Sequence, residues 1–270
     1  MVKKLLLTIL LCAWATSAFA TALDRDKTVL LCHFDGTNGQ TTYTSDDAYA
    51  RTATFYNSAQ LSTAQKKFGL SSLLLAKATG DFLSFPDSDD WYFSGDATFG
   101  GWVYLNTLPT SGYIYAALIG QYQDDENFWQ LAIWGNGSLW VLEFFIVTGG
   151  SYLEDIYFEI SPSLSTWYNW EIDISSGTLY MFWGGTLLGT QGSLSSFSNL
   201  SSTLKIGNFV SEGLTLDGYI DELYVIKGQA LHTSNYTPET EAYTLSGGAQ
   251  PQFSHAFNSG FGEGFNQGVN

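Results

Sequence analysis

Between Thr28 and Tyr243 the chain is a succession of short apolar, β-rich runs broken by Gly, Asn, Asp and Ser, and apolar residues almost nowhere recur at helical spacing. Such runs read as strands. Strands are predicted over Val29–Phe34, Ser72–Leu75, Asp81–Phe85, Thr98–Leu105, Ile114–Gln121 and Phe128–Trp134. Further strands are predicted over Leu139–Val147, Ile156–Ile160, Trp167–Ile174, Leu179–Trp183, Leu204–Gly207 and Tyr219–Ile226. Trp134-Gly135-Asn136-Gly137-Ser138 and Ser175-Ser176-Gly177 join neighbouring runs as hairpin turns would. Turn signals at about every ten residues point to an antiparallel sandwich or barrel, not to strand–helix–strand units. No fixed-period repeat and no linker interrupts the pattern, so residues 21–244 are read as one all-β domain.

The two ends differ from this middle. Residues 1–20 carry Lys3 and Lys4, an apolar run from Leu5 to Ala13, and a small-x-small site at Ala18-Phe19-Ala20. This is the pattern of a secretory signal peptide, and its apolar run is shorter than the ~20 residues that span a bilayer. Cleavage would remove Cys12 and leave Cys32 as the one thiol, so no internal disulfide framework is expected. Residues 245–270 form a Gly/Asn/Phe-rich tail with Phe253, Phe257, Phe261 and Phe265, read as flexible. A secreted or cell-surface protein without membrane insertion is expected.

Charge narrows the partners. There are 10 Lys+Arg against 26 Asp+Glu, a formal charge of −16, whereas binding to nucleic acid or to anionic lipid needs a basic surface. With 19 Phe, 16 Tyr and 9 Trp in 270 residues, the chain has apolar material for a large core and aromatic faces to spare.

Several strings occur in a characteristic order. Leu31-Cys32-His33-Phe34-Asp35-Gly36 is followed by Lys67-Phe68-Gly69-Leu70-Ser71-Ser72-Leu73 and by Gly80-Asp81-Phe82-Leu83-Ser84-Phe85-Pro86-Asp87-Ser88. Then come Ser165-Thr166-Trp167-Tyr168, Leu179-Tyr180-Met181-Phe182-Trp183-Gly184-Gly185 and Ile206-Gly207. The last are Leu216-Asp217-Gly218-Tyr219-Ile220-Asp221-Glu222-Leu223-Tyr224-Val225 and Tyr236-Thr237-Pro238. This series, over about residues 28–243, resembles the LamG-like jelly-roll domains of the concanavalin A-like lectin/glucanase superfamily. The resemblance implies a jelly-roll sandwich of two facing antiparallel sheets, one of them concave.

Adjacent strand residues face opposite ways, so Asp221 and Glu222 cannot both be surface decoration. A buried carboxylate needs a partner or a metal. Members of the resembled superfamily often carry a structural Ca²⁺, which takes oxygen ligands. The expected ligands are Asp35, at the end of the first strand, and Asp221, in the last, since the jelly roll makes these strands neighbours. In the alternative reading Asp35 closes a turn by a hydrogen bond and Glu222 pairs with Lys227 or Arg51.

The superfamily's glucanases act through two carboxylates on one strand. The string Trp170-Glu171-Ile172-Asp173-Ile174-Ser175-Ser176 resembles the start of that pattern but ends in Ser176 where the acid/base Glu would stand. Without a second carboxylate at the right separation a retaining mechanism has no proton donor. Glu154 and Asp155 have the wrong spacing, and no catalytic residue is assigned. Binding is the better account. In Phe128–Trp134, Trp129, Leu131 and Ile133 share the core face, whereas Phe128, Gln130, Ala132 and Trp134 share the other. Trp134, Gln130, Trp140 and Asn136 are the candidate ligand residues: aromatic rings to stack on a sugar and amides to bond its hydroxyls. The expected protein is a secreted, non-catalytic module for a carbohydrate or surface glycoconjugate, or alternatively a structural or adhesive protein, virion-associated or self-assembling, that uses the domain for protein contacts.

Overall fold

A computed structural model describes residues 21–110, 114–194, 197–208 and 215–247. The signal sequence read over 1–20 and the tail phenylalanines lie outside them.

Among the described residues, eighteen strands follow in chain order. They are β1 (Ala22–Asp24), β2 (Thr28–Cys32), β3 (Tyr43–Thr44), β4 (Thr52–Tyr56), β5 (Gln60–Ser62) and β6 (Ser72–Leu75). Next are β7 (Phe82–Phe85), β8 (Ala97–Leu105), β9 (Ile114–Asp124), β10 (Asn127–Gly135), β11 (Trp140–Thr148) and β12 (Ser151–Ile160). The last are β13 (Trp167–Ser175), β14 (Thr178–Trp183), β15 (Thr186–Gln191), β16 (Leu204–Ile206), β17 (Gly218–Lys227) and β18 (Thr244–Ser246). One sheet runs β12-β11-β10-β9-β16-β7-β4-β3, and the other runs β15-β14-β13-β8-β17-β6-β5 with β2 also on β17. The predicted jelly-roll sandwich is the architecture found. All twelve predicted strands are present, Ser72–Leu75 with the predicted bounds and the others with shifted ends, whereas β1, β3, β4, β5, β15 and β18 were not predicted. The boundary drawn after Thr244 falls inside β18, which pairs in parallel with β1 through Leu23↔Leu245.

The sheets enclose one core in which Trp91, Trp129, Trp170, Phe85, Phe99 and Phe144 are fully buried, together with the free thiol of Cys32. Behind the second sheet a smaller apolar cluster joins Leu23, Leu31, Tyr224, Ile226 and Tyr243. The chain segment before β18 thus covers that sheet's outer side and leaves it no open face around Tyr224.

Strand β17 explains the Asp221-Glu222 pair. It lies along β8 on one side, and on the other it pairs first with β6, at Gly218–Ile220, and then with β2, at Leu223–Ile226. Between these two neighbours the β8 register slips at Asp221/Tyr224 and Glu222 takes a left-handed φ of 50°. The bulge lets both acids be buried, where strict alternation would have sent one outward.

Candidate functional site

The alternation read in Phe128–Trp134 holds. Trp129, Leu131 and Ile133 are in the core, and the Trp129 Nε1–H donates to Gln121 Oε1 at 3.1 Å. Trp134 stands on the opposite, outer face of the first sheet, level with Tyr115 on β9 and Val141 on β11. The neighbouring row is Ala117, Ala132, Glu143 and Tyr157, and Asp155 stands one row further on, opposite Phe145. Tyr115, Trp134, Leu139, Val141, Glu143, Asp155 and Tyr157 line one cleft of about 420 Å³. It is an aromatic recess with an acidic edge. Burial pushes Glu143 up to about 7, and the charge and hydrogen-bonding reach of Asp155 add to the rise.

The other sequence candidates fall around this cleft, not in it. Gln130 shares the outer face with Trp134, is buried, and its Oε1 has no hydrogen-bond partner among the described residues. Trp140 belongs to the opposite face: it packs against the core, covers Gly135 so closely that a Cβ there would sit 2.2 Å from its ring, and donates Nε1–H to the Pro109 carbonyl at 2.9 Å. Asn136 shapes the hairpin, its Oδ1 accepting the Ser138 and Leu139 N–H groups, each at 3.0 Å. Sequence reasoning did not find Tyr115, Glu143, Asp155 and Tyr157, since only strand register brings them together.

Further along the same outer face aromatics continue across the strands. Tyr122, Phe128, Phe145 and Tyr152 follow one another at centroid distances of 6.0, 5.7 and 5.3 Å. Tyr56 stacks on Phe82 at 4.0 Å, and Lys205 Nζ lies 5.6 Å from the Phe82 ring.

Asp35 and Asp221 converge on one loop. Asp35 Oδ1 accepts the N–H groups of Leu70 and Ser71, and Asp221 Oδ2 accepts those of Lys67 and Phe68 at 2.7 and 3.2 Å. Asp221 Oδ1 accepts the Glu222 N–H at 2.9 Å. The two carboxylates pin the 67–71 turn where β2 ends and β6 begins. Burial raises Asp221 to about 8, against the N–H groups of Lys67, Phe68 and Glu222, whose hydrogen bonds favour its charged form. Glu222 pairs with neither Lys227 nor Arg51: its Oε1 meets His33 Nδ1 at 2.9 Å and its Oε2 accepts the Tyr243 N–H at 3.0 Å. Arg51 pairs with Asp90, and Lys227 donates to the Asp89 carbonyl.

A second carboxylate cluster lies behind β13. Trp170 and Ile172 point into the core, so Glu171 and Asp173 point to the sheet's other side, where both are fully buried. Glu171 accepts from Tyr224 OH and meets His232 Nδ1 at 2.6 Å, and Asp173 Oδ1 accepts from Thr98 and from the Leu231 N–H at 2.7 Å. Burial raises both carboxyls and lowers His232. Their ligand atoms lie within 4.8 Å of one another, but the Gln229–Tyr236 segment seals them from any substrate.

Two facing antiparallel sheets, with an aromatic recess on one outer face, define a jelly-roll domain of the lectin-like class. The sequence profile of Laminin_G_3, described as concanavalin A-like lectin/glucanases superfamily, matches residues 77–235, and the chain belongs to this family. No curated protein sequence matches the chain. Among solved structures of similar fold, domain 4 of an extracellular arabinanase from Geobacillus stearothermophilus, solved with arabinotriose, is 13% identical with a TM-score of 0.54, covering 76% of this chain and 94% of that one. A botulinum neurotoxin type C structure, described by its interaction with two ganglioside molecules, is 13% identical with a TM-score of 0.58, covering 77% and 49%. A botulinum neurotoxin DC binding domain, in complex with rat synaptotagmin II, is 13% identical with a TM-score of 0.57, covering 77% and 49%. The chain therefore spans about half the length of the toxin structures it resembles, and these likenesses show the fold.

Proposed function

We propose that this chain is an exported, non-catalytic binding module whose glycan site is the cleft of Trp134, Tyr115 and Tyr157. The observation that carries the reading is the cleft itself: three rings, from β9, β10 and β12 of one sheet, with carboxylates at the edge to accept hydrogen bonds from sugar hydroxyls. The signal-like residues 1–20 support export, and the arabinotriose complex of one similarly folded domain and the ganglioside interaction named for another support this ligand class. Two observations speak against hydrolysis. Glu171 and Asp173 are sealed beneath Tyr236 and His232, and Glu143 and Asp155 are close enough to hydrogen-bond. Glycosidase carboxyls stand about 5–5.5 Å or 6.5–9.5 Å apart to leave room for the sugar or water between them. Screening the full chain on a glycan array tests the reading. Binding to at least one glycan class, lost in Trp134→Ala, is expected; an array without any hit would overturn it.

A further inference from the structure

The cleft is more selective than a sugar-stacking platform needs to be. A neutral sugar presents hydroxyls that both donate and accept, so sites for it usually mix amides, hydroxyls and charges. Here Gln130 and Asn136 lie outside the lining, and the polar groups that remain are two carboxylates, Glu143 and Asp155, with the phenols of Tyr115 and Tyr157. Among the described residues no lysine, arginine or histidine lines the cleft. The π-faces of Trp and Tyr carry negative charge density, and ionised carboxylates accept hydrogen bonds without donating any. Every element of the lining therefore favours a ligand that pairs a flat apolar body with a positive charge. Glu143 is half-buried on β11 beneath exposed Asp155 and Tyr157, so its charge is only partly screened by water.

From these juxtaposed rings and carboxylates we infer that the cleft recognises a glycan carrying a free amino-sugar residue, its ring stacked on Trp134 and its ammonium held by the Glu143–Asp155 pair. The inference rests on the glycan reading above and names the substrate class of that same site. It also accounts for the proximity of the two acids. Two carboxyls within hydrogen-bonding reach repel when both are ionised, and Glu143 answers with a raised pKa. A cation between them would remove that repulsion, whereas a neutral hydroxyl would not.

Titration calorimetry on the full chain tests this with two probes at one pH: a short glucosamine oligomer with free amines and the same oligomer fully N-acetylated. The free-amine oligomer should bind roughly tenfold more tightly, the size of one desolvated cation–π and carboxylate contact. In Glu143→Gln, and separately in Asp155→Asn on its exposed strand, the ratio of the two affinities should fall to near one, whatever the change in the affinity for the acetylated oligomer. Trp134→Ala should lose both ligands. Equal affinities, or a preference for the acetylated oligomer, would overturn the amine inference and leave the glycan reading standing. If neither probe binds, both readings fall. A cationic oligomer could also cling to the acidic surface at large. A preference that survives the Glu143→Gln/Asp155→Asn double substitution would mark it as such and overturn the assignment.

Discussion

Glu171 shows what a single buried carboxyl does in this protein. It accepts the Tyr224 hydroxyl, which in turn accepts from Tyr243 OH, and it meets His232 Nδ1, with Asp173 next to it on the strand. Because burial holds Glu171 toward its neutral form, an amide of the same shape can replace it. Glu171→Gln is expected to cost less than about 1.5 kcal/mol, whereas Glu171→Ala, which strands a tyrosine hydroxyl and an imidazole beside a void, should cost about 3 kcal/mol or more. Urea unfolding of the two variants measures the difference, and equal losses would contradict it. At this scale the sequence was informative where period two decides the matter. Trp129 inside and Trp134 outside follow from alternation alone. It was silent on Glu143 and Asp155, twelve positions apart in the chain, because their meeting depends on how β11 and β12 register. The slip at Ile146/Val147 further along that pair is not marked by any residue pattern.

At the scale of elements, β17 organises the domain. It pairs with β8 along one side and with β6 and then β2 along the other, and the gap between those two is bridged by carboxylates reaching backbone amides. Since Asp35 and Asp221 already accept those N–H groups, calcium chelation is expected to leave the melting temperature unchanged, as differential scanning calorimetry would show. A fall of several degrees in chelator, restored by Ca²⁺, would establish a metal at the junction. The strands of the central sheets were legible because each is an apolar run bounded by turn residues, as in Ala97–Leu105 and Trp140–Thr148. Five of the six missed strands have five residues or fewer, too few to show a period, and two of them owe their existence to distant partners. β1 and β18 pair across almost the whole chain, and nothing within Ala22–Asp24 or Thr244–Ser246 signals a strand. Trp140 was misplaced for a related reason: a tryptophan beside a glycine turn looks like a rim residue until its indole is found lying over Gly135.

Taken whole, the molecule holds several carboxyls above their ordinary range: Asp221 at about 8 and Glu143 at about 7, with Glu171 and Asp173 moved the same way by burial. Each binds its proton more tightly folded than unfolded. The stabilisation this provides is complete below the unfolded carboxylate pKa of about 4 and is lost as pH rises through 7 to 8. His33 has the same sign: burial opposes its charge, but the hydrogen bond and charge of Glu222 prevail and raise it. A formal charge of −16 adds self-repulsion on the alkaline side. The melting temperature should therefore be higher near pH 5 than near pH 9, by several degrees, and a midpoint that climbs steadily over that interval would contradict the account. On this acidic molecule the aromatic cleft is the feature to which the proposed function assigns recognition.

The most direct test of that claim follows the indole N–H resonances of the full chain by NMR while an array-selected glycan is titrated in. The account predicts that the Trp134 signal shifts in proportion to occupancy, while those of Trp129 and Trp170, buried in the core, stay in place. Saturable binding that leaves Trp134 unmoved would contradict it.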